Sequence, residues 1–192
     1  MGLEGEIYFR MMKRCFICVD FADKDEVVKE VARVQEELGK KNFVGKMTDL
    51  GNLHLTLKFL GEIEEEKVKE VEKRLSEIKF NEFECVLDSI GYFNYRKSPR
   101  IVWIKIGGKG IYELQTEIDK VLEGLFPKEE RFMSHLTIAR IKYVKDKIEF
   151  VKHIRGLSVR KIKFRIGEFK LKESKLGEMG PLYKDLEIIR GK

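Results

Sequence analysis

The stretch LHLTL at residues 53–57 recurs 81 positions later as SHLTI at residues 134–138. The repeated unit is His-Leu-Thr-aliphatic, and the two copies contain two of the three histidines in the chain. In a β-strand, residues two apart face the same side, so each unit presents an imidazole and a hydroxyl on one face and aliphatic side chains on the other. We therefore predict two amphipathic strands, one carrying His54 and Thr56 and the other His135 and Thr137.

These pairs suit proton-transfer chemistry. Imidazole has an unperturbed pKa of about 6.5, so it gives or takes a proton near neutral pH. Two such strands facing each other would supply an acid, a base and two hydroxyl donors around one centre the size of a phosphorus atom. For a single unit, an ordinary strand with a half-buried histidine is the simpler interpretation. The second copy, with His and Thr at the same offsets, favours the functional one.

Composition limits the class of protein. A chain of 192 residues suits one domain, or two tightly joined lobes. Charged residues make up 38%, against about a quarter in ordinary soluble domains, and such a mixture of both signs is typical of heat-adapted proteins. The net charge of +6 favours a polyanionic partner. No apolar run reaches the ~18 residues needed to span a bilayer, so we expect no membrane association.

The beginning of the chain differs from the rest. The first ten residues contain Glu4 and Glu6 and lack an apolar core, so we do not expect them to be a secretory signal. We predict that residues 1–12 are a flexible extension. The alternative is that they result from an upstream translation start and add nothing to the fold. Residues 13–192 contain no Pro-rich or Gly/Ser-rich linker, and we predict that they form a single two-lobed domain.

Cys15 and Cys18 form a Cys-x-x-Cys motif, which raises the question of metal or redox chemistry. Their offset of three places the two thiols on opposite faces of a predicted strand. The third cysteine, Cys85, stands alone, whereas a zinc site needs four ligands. We interpret all three as buried, reduced cysteines of a cytoplasmic protein, and we expect neither a metal nor a cofactor.

Hydrophobic periodicity predicts alternating helices and strands. The predicted helices are one that is capped at Asp23 or Asp25 and ends at Gly39, and three more at residues 64–79, 111–125 and 148–154. The predicted strands are residues 14–20, 53–60, 82–90, 100–106, 132–140, 159–171 and 183–189. Strand-helix-strand-helix modules occur twice, so we predict a duplicated α+β fold with a pseudo-twofold axis and a cleft between two lobes.

Five segments carry a family resemblance: HLTLKFLGE at 54–62, HLTIAR at 135–140, PRIVW at 99–103, LKES at 171–174 and GPLY at 180–183. They resemble the two-histidine phosphoesterase superfamily and, within it, the RNA 2′,3′-cyclic phosphodiesterases, also called LigT-like 2′-5′ RNA ligases. The resemblance extends from Lys13 onward and implies antiparallel sheets flanking a central cleft, with helices outside. Ser134 is a departure, because the family usually has Pro before the second His.

The resemblance implies a hydrolase that opens 2′,3′-cyclic phosphodiester ends of RNA to 2′-phosphomonoesters without a metal ion. One imidazole would deprotonate water and the other would protonate the leaving ribose oxygen, while Thr56 and Thr137 donate to the non-bridging oxygens. Family analogy assigns His54 as the acid and His135 as the base, although the symmetric motifs do not decide this. The implied partner is RNA with cyclic phosphate ends, tRNA fragments among them. We expect the protein to be a monomer in the cytoplasm.

Two other functions remain open. The same site could join a cyclic phosphate end to a 5′-hydroxyl RNA end without ATP, giving a 2′-5′ linkage. A non-catalytic module that binds RNA ends is the other alternative, although a binding module has no need of two proton-transfer groups.

Four further residues are candidates for substrate binding: Lys58, Arg131, Arg100 and Ser134. Lys58 lies four residues after His54, so strand periodicity predicts that it points toward the cleft. Arg131 precedes His135 by four residues, and Arg100 lies in one of the family-like segments. We expect at least one of these three cations to hold RNA phosphates, with Arg131 a better candidate than Arg100.

Overall fold

The computed structural model describes residues 12–177 and 180–192, so the prediction for the N-terminal segment lies, apart from Met12, outside the described residues. The elements follow in the order β1 (Lys13–Asp20), α1 (Asp25–Gly39), β2 (Val44–Met47), β3 (His54–Ile63), α2 (Glu65–Ser76), β4 (Phe83–Tyr95), β5 (Ser98–Gly107), α3 (Lys109–Val121), β6 (His135–Tyr143), α4 (Lys147–Gly156), β7 (Lys163–Ile166), β8 (Glu168–Gly177) and β9 (Gly180–Arg190).

The strands form two antiparallel sheets, which confirms the predicted α+β class. One sheet has the order β3-β1-β8-β9 and the other the order β2-β6-β5-β4-β7. Each half of the chain contributes to both sheets, because β2 joins the second sheet and the C-terminal hairpin β8–β9 completes the first. The two His-Thr strands, β3 and β6, belong to different sheets and lie against each other.

The helices cover the sheet faces that point away from the cleft. The apolar stripe of α1, formed by Val27, Val31, Val34 and Leu38, is fully buried as its periodicity predicts. This stripe belongs to one hydrophobic cluster that also includes the aliphatic residues of both His-Thr strands. The core therefore fixes which face of β3 and β6 is left for polar side chains. That residues 13–192 form a single domain stays a prediction.

The β4–β5 hairpin differs from the predicted connection across residues 91–99. Both strands continue to a two-residue turn, Arg96-Lys97, in which φ is 49° and 61°. Gly91 does not form a turn: a Cβ built on it would lie 2.2 Å from the ring of Trp103, its partner on β5. Here glycine permits close packing of an indole on the strand, and the sequence signal for a turn was misleading.

Two further elements differ from expectation. Strand β2 was not predicted, because its four residues form an edge strand whose hydrogen-bond partner, β6, lies far along the chain. The strand predicted at residues 159–171 is two strands, β7 and β8, which belong to different sheets and are separated at Gly167.

A β-bulge interrupts β3 immediately after its His-Thr pair. Thr56 is paired with Cys18 of β1 and Lys58 with the adjacent Ile17, so Leu57 has no opposite residue. Leu57 and Lys58 are consequently both buried, although adjacent strand residues normally face opposite sides. A bulge exchanges the two faces of a strand, so the faces of β3 are exchanged from Lys58 until a second bulge at Leu60.

The same irregularity occurs at the same point of β6. Trp103 is paired with Thr137 and Val102 with Ala139, so Ile138 has no opposite residue. In a regular strand the fifth residue after each histidine would lie on the side opposite the histidine, because the offset is odd. The bulge returns this residue to the polar side of its strand. That residue is Phe59 in β3 and Arg140 in β6, and both are exposed.

The expectation that Lys58 points into the cleft is corrected by this bulge. The Lys58 side chain is only 4% exposed, and its ammonium forms an ion pair with Asp119 of α3 and donates to the Pro127 carbonyl at 2.7 Å. Asp119 also accepts from the Gln115 amide at 2.7 Å and from the backbone N–H of Glu129 at 3.0 Å. Lys58 thus ties β3 to α3 and to the chain that leads to β6.

Replacing Lys58→Met should lower the free energy of unfolding by about 3–5 kcal/mol, because it leaves the Asp119 carboxylate buried without its cation. Urea unfolding followed by circular dichroism measures this. Lys109→Met is the matched control, since Lys109 is 90% exposed and pairs with Glu113 one turn away; its cost should stay below about 0.5 kcal/mol. Equal stability of the two variants would contradict the structural role of Lys58.

Candidate active site

One cleft contains all four residues predicted from the repeated motif. His54, Thr56, His135 and Thr137 line a cavity of about 560 Å³ between the two sheets. Each histidine is the first residue of its strand, and each threonine follows on the same side. Residues 81 positions apart in the sequence are thus brought to the same site.

The two imidazoles are held by hydrogen bonds of the same kind. Nδ1 of His54 lies 2.8 Å from the carbonyl oxygen of Asn52, and Nδ1 of His135 lies 2.7 Å from that of Met133. In both cases the carbonyl belongs to the residue two positions earlier. Because a carbonyl oxygen only accepts, each neutral ring carries its proton on Nδ1 and leaves Nε2 as the free nitrogen. Both histidines are therefore prepared for proton transfer through Nε2.

Aromatic side chains fix the planes of both imidazoles. Their centroids lie 5.1–6.4 Å from the imidazole centroids, in tilted or edge-on orientations. They are Phe16 and Tyr183 around His54, and Phe93 and Trp103 around His135. Such packing restricts ring rotation, as a preorganised acid–base pair requires.

The surroundings lower the pKa of both imidazoles. Burial is the main cause in each case, because it disfavours the charged form, and the positive charge of Arg140 acts in the same direction. The backbone hydrogen bonds to Asn52 and Met133 oppose this by favouring the imidazolium. Asp20 also raises the pKa of His54, and the corresponding position near His135 has no such carboxylate in the described part of the chain.

Arg140 is the cation that sequence reasoning missed. It lines the cleft on both sides of His54, and no carboxylate among residues 12–177 and 180–192 forms an ion pair with it. Strand alternation alone places Arg140 on the side opposite His135, because their offset is odd. The bulge at Ile138 brings Arg140 to the same side as His135, and the pattern HLTIAR has no local signal for a bulge.

The cleft continues beyond the histidines into a second compartment of about 800 Å³. His54, Thr56, Arg140, Pro181 and Tyr183 border both compartments. The second compartment is also lined by Arg14 and Phe59, whose guanidinium and ring are stacked at 5.1 Å. Lysines and arginines outnumber the two glutamates, Glu62 and Glu173, in this lining. Such a net basic, partly aromatic surface suits nucleotides, which combine phosphates with flat bases.

The remaining candidate substrate-binding residues lie elsewhere. Arg100 donates to the carbonyl oxygens of Ile141 and Lys142 and so joins β5 to β6. Ser134 is fully buried, and its hydroxyl has no partner in the described part of the chain. Arg131 is exposed in the segment before β6. None of the three lines either compartment. Substrate binding by these residues stays a prediction, which the positions of Arg100 and Ser134 do not support.

The cysteines are buried and free, as predicted. Burial raises the pKa of Cys15 to about 11 and that of Cys85 to about 12, so these thiols remain protonated at neutral pH. No group of three or more His, Cys, Asp or Glu side chains suited to a metal ion occurs among the residues that the structure describes. No helix in that part of the chain is both long and apolar enough to cross a bilayer.

Comparisons with known proteins agree with this geometry. The family model of LigT-like phosphoesterases matches residues 23–103 and 106–183. An RNA 2′,3′-cyclic phosphodiesterase of Archaeoglobus fulgidus is 36% identical, over 92% of this chain and 99% of that protein. Among solved structures, TT0787 of Thermus thermophilus is 25% identical with a TM-score of 0.77, and covers 92% of this chain and 97% of its own.

The structure of E. coli LigT complexed with 3′-AMP also superimposes, with a TM-score of 0.68 and 23% identity over 95% of this chain and 99% of that one. This last similarity concerns the fold. The family model covers most of the chain, and the Archaeoglobus relative exceeds 30% identity across nearly its whole length. The chain therefore belongs to the LigT-like phosphoesterases and is a phosphodiesterase of that family.

Proposed function

We propose that this enzyme opens 2′,3′-cyclic phosphates at the ends of RNA and releases a 2′-phosphomonoester. The proposal rests on one observation: two imidazoles, each with a free Nε2, and two threonine hydroxyls line the same cleft. The name of the Archaeoglobus relative and the 3′-AMP bound by E. coli LigT support an RNA-derived substrate.

The reaction needs three operations, and the cleft has groups for each. Nε2 of one neutral imidazole takes a proton from water as the water oxygen attacks phosphorus. The bond between phosphorus and the ribose O3′ breaks, and Nε2 of the other, protonated imidazole gives its proton to O3′. Thr56, Thr137 and Arg140 donate to the non-bridging oxygens, whose charge increases in the transition state. In this mechanism Arg140 supplies the positive charge, and no metal ion is required.

Asp20 breaks the symmetry between the two histidines. Its carboxylate favours the charged form of His54, an effect that is partly offset by Lys172, which pairs with Asp20 at 2.7 Å. The interactions that shift the pKa of His135 include no carboxylate among the described residues. A carboxylate increases the fraction of the neighbouring imidazole that is protonated, so we assign His54 as the acid and His135 as the base. This assignment agrees with the one that the family resemblance implies.

A 2′-5′ RNA ligase is the second candidate, and the compartment beside Arg14 and Phe59 is the observation that favours it. A second RNA strand there would place its 5′-hydroxyl beside His54, which would then act as the base in ligation. Water is present at ~55 M in bulk solvent, so hydrolysis is ranked first unless the occupied cleft excludes it. We further propose that residues 13–192 act as a single domain and a monomer in the cytoplasm, where free buried cysteines are usual.

The first test uses a short RNA that ends in a 2′,3′-cyclic phosphate, incubated with the enzyme and EDTA. We expect complete conversion to an RNA with a 2′-phosphate, identified by mass spectrometry and by its resistance to a 3′-specific phosphatase. A parallel reaction with excess 5′-hydroxyl RNA measures the competing 2′-5′ product. Loss of activity in EDTA, with recovery on adding a divalent ion, would refute the metal-independent mechanism.

His54→Ala and His135→Ala should each lower kcat by at least ~10²-fold, the usual contribution of a general acid or base. The double variant should lose less than the product of the two single losses, because the pair acts as a unit. His153→Ala controls for the loss of an imidazole, since His153 bonds the Glu37 carbonyl outside the cleft. Activity near that of the wild type in either single variant would exclude that histidine from catalysis.

The pH dependence tests the role of Asp20. Burial lowers both imidazole pKa values, so the bell-shaped kcat/KM profile should have its optimum below pH ~6.5 and fall as the acid loses its proton. Asp20→Asn removes the charge that favours the His54 imidazolium, and the basic limb should move to lower pH. Asp88→Asn, which removes an ion pair with Lys161, should leave the profile unchanged. Displacement of the acidic limb alone would reverse the acid and base assignments.

A further inference from the structure

A second basic surface lies outside the catalytic cleft. The outer side of the β4–β5 hairpin and helix α4 enclose a groove of about 480 Å³, which we term the hairpin groove. Its charged lining residues are Lys97, Lys147, Lys152 and Arg155, and Tyr92 contributes an aromatic ring. The four charged side chains are exposed, and no acidic residue lines the groove.

No carboxylate of the described residues neutralises the cations of the hairpin groove. Within residues 12–177 and 180–192, Lys97, Lys147 and Lys152 form no ion pair, and Arg155 contacts only the Tyr92 hydroxyl, at 3.4 Å. They differ in this from lysines such as Lys29, which pairs with Glu26 one helical turn away. Four unpaired positive charges around one groove create a local field that attracts a polyanion.

The turn of the hairpin extends this basic surface. Arg96 and Lys97 occupy a two-residue turn with positive φ at both positions, where Asn-Gly is the favoured sequence. The Arg96 guanidinium is stacked on the Tyr95 ring at 5.3 Å, and that ring is 57% exposed. The chain thus retains two cations at positions that disfavour them conformationally, and backbone strain of this kind is often kept for function.

The hairpin connects this surface to the active site. Phe93 of β4 packs edge-on against His135 at 5.1 Å on the cleft side. The residues on either side of Phe93, Tyr92 and Asn94, line the hairpin groove instead. The cleft and the groove therefore lie on opposite sides of one hairpin, whose turn carries a stacked arginine and tyrosine.

We propose that the hairpin groove binds the sugar-phosphate backbone of single-stranded RNA whose terminal cyclic phosphate lies between His54 and His135. This inference rests on the proposed function. The strand leaves the cleft, passes the Tyr95–Arg96 stack and places internal phosphates against Lys97, Lys147, Lys152 and Arg155. Unpaired cations bind phosphates of any sequence, and exposed rings stack on any base, so the contact is independent of RNA sequence.

The test compares two triple variants of equal charge. The groove variant removes three groove cations by Lys147→Gln, Lys152→Gln and Arg155→Gln. The control variant removes three ion-paired lysines on α1 and α3 by Lys29→Gln, Lys109→Gln and Lys120→Gln. Both are assayed on a nucleoside 2′,3′-cyclic phosphate and on a single-stranded RNA of about 20 nucleotides, which is long enough to leave the cleft.

We expect the groove variant to open the nucleoside substrate like the wild type but to show a raised KM for the long RNA. Each phosphate contact on a single strand contributes about 0.7 to the slope of log affinity against log salt, so three lost contacts should reduce that slope by about 2. The control variant should keep the wild-type slope. Equal KM values and slopes for the two triple variants would overturn the proposal.

Direct binding separates this inference from the proposed function. Fluorescence anisotropy with an RNA of the same length that ends in a 3′-hydroxyl measures the groove without any reaction. If the enzyme opens no cyclic phosphate but the groove variant still binds this RNA more weakly than the control, the proposed activity fails and the RNA site stands. Tight binding of a polyglutamate peptide in place of RNA would assign the groove to an acidic protein and overturn the proposal.

The turn gives a second test that does not depend on α4. Arg96→Asn combined with Lys97→Gly restores the sequence favoured for this turn, so the melting temperature should rise. The KM for the long RNA should rise as well, while kinetics on the nucleoside substrate stay unchanged. A higher melting temperature with an unaltered KM for long RNA would show that the turn only connects strands, and it would remove the turn from the proposed path.

Discussion

The β-bulge that follows each His-Leu-Thr-aliphatic unit decides which side chains reach the cleft. Before the bulge, strict alternation places His and Thr on one side and aliphatic residues in the core. After it the two faces are exchanged, so Arg140 and Phe59 reach the polar side while Lys58 is directed into the interior. Two bulges at equivalent positions thus allow both strands to contribute a third, longer side chain beside the histidines.

The electrostatics of the cleft favour an anion, because a bound anion would oppose the effects that lower the pKa of the imidazoles. Burial and the unpaired Arg140 lower the pKa of both imidazoles, so the cleft owes positive charge to its arginine rather than to its histidines. A bound phosphate would neutralise Arg140 and raise the pKa of the adjacent imidazole. Substrate binding would then help to protonate the acid, and Asp20 would direct that proton toward His54.

The sequence predicted the structural features that depend on local patterns. Features that depend on pairing between distant residues were not predictable from it. The buried stripe of α1 and the position of the His-Thr strands follow from periodicity, and the structure confirms both. Strand β2 is too short to have a pattern, since its hydrogen-bond partner lies about a hundred residues away. Gly91 was misleading because glycine serves equally for a turn and for close packing against Trp103.

The positions of the cations show why proximity to a motif is a poor guide to substrate binding. With 39 basic and 33 acidic residues, charged side chains of both signs are abundant, so positive charge alone does not identify a substrate-binding residue. Lys58 and Arg100 lie within family-like segments, yet both use their charge on internal partners. Desolvating a charge is costly unless it is paired, so cations committed to the fold carry partners. Arg140 has no such partner among the described residues and lines the cleft, where its charge is available to a ligand.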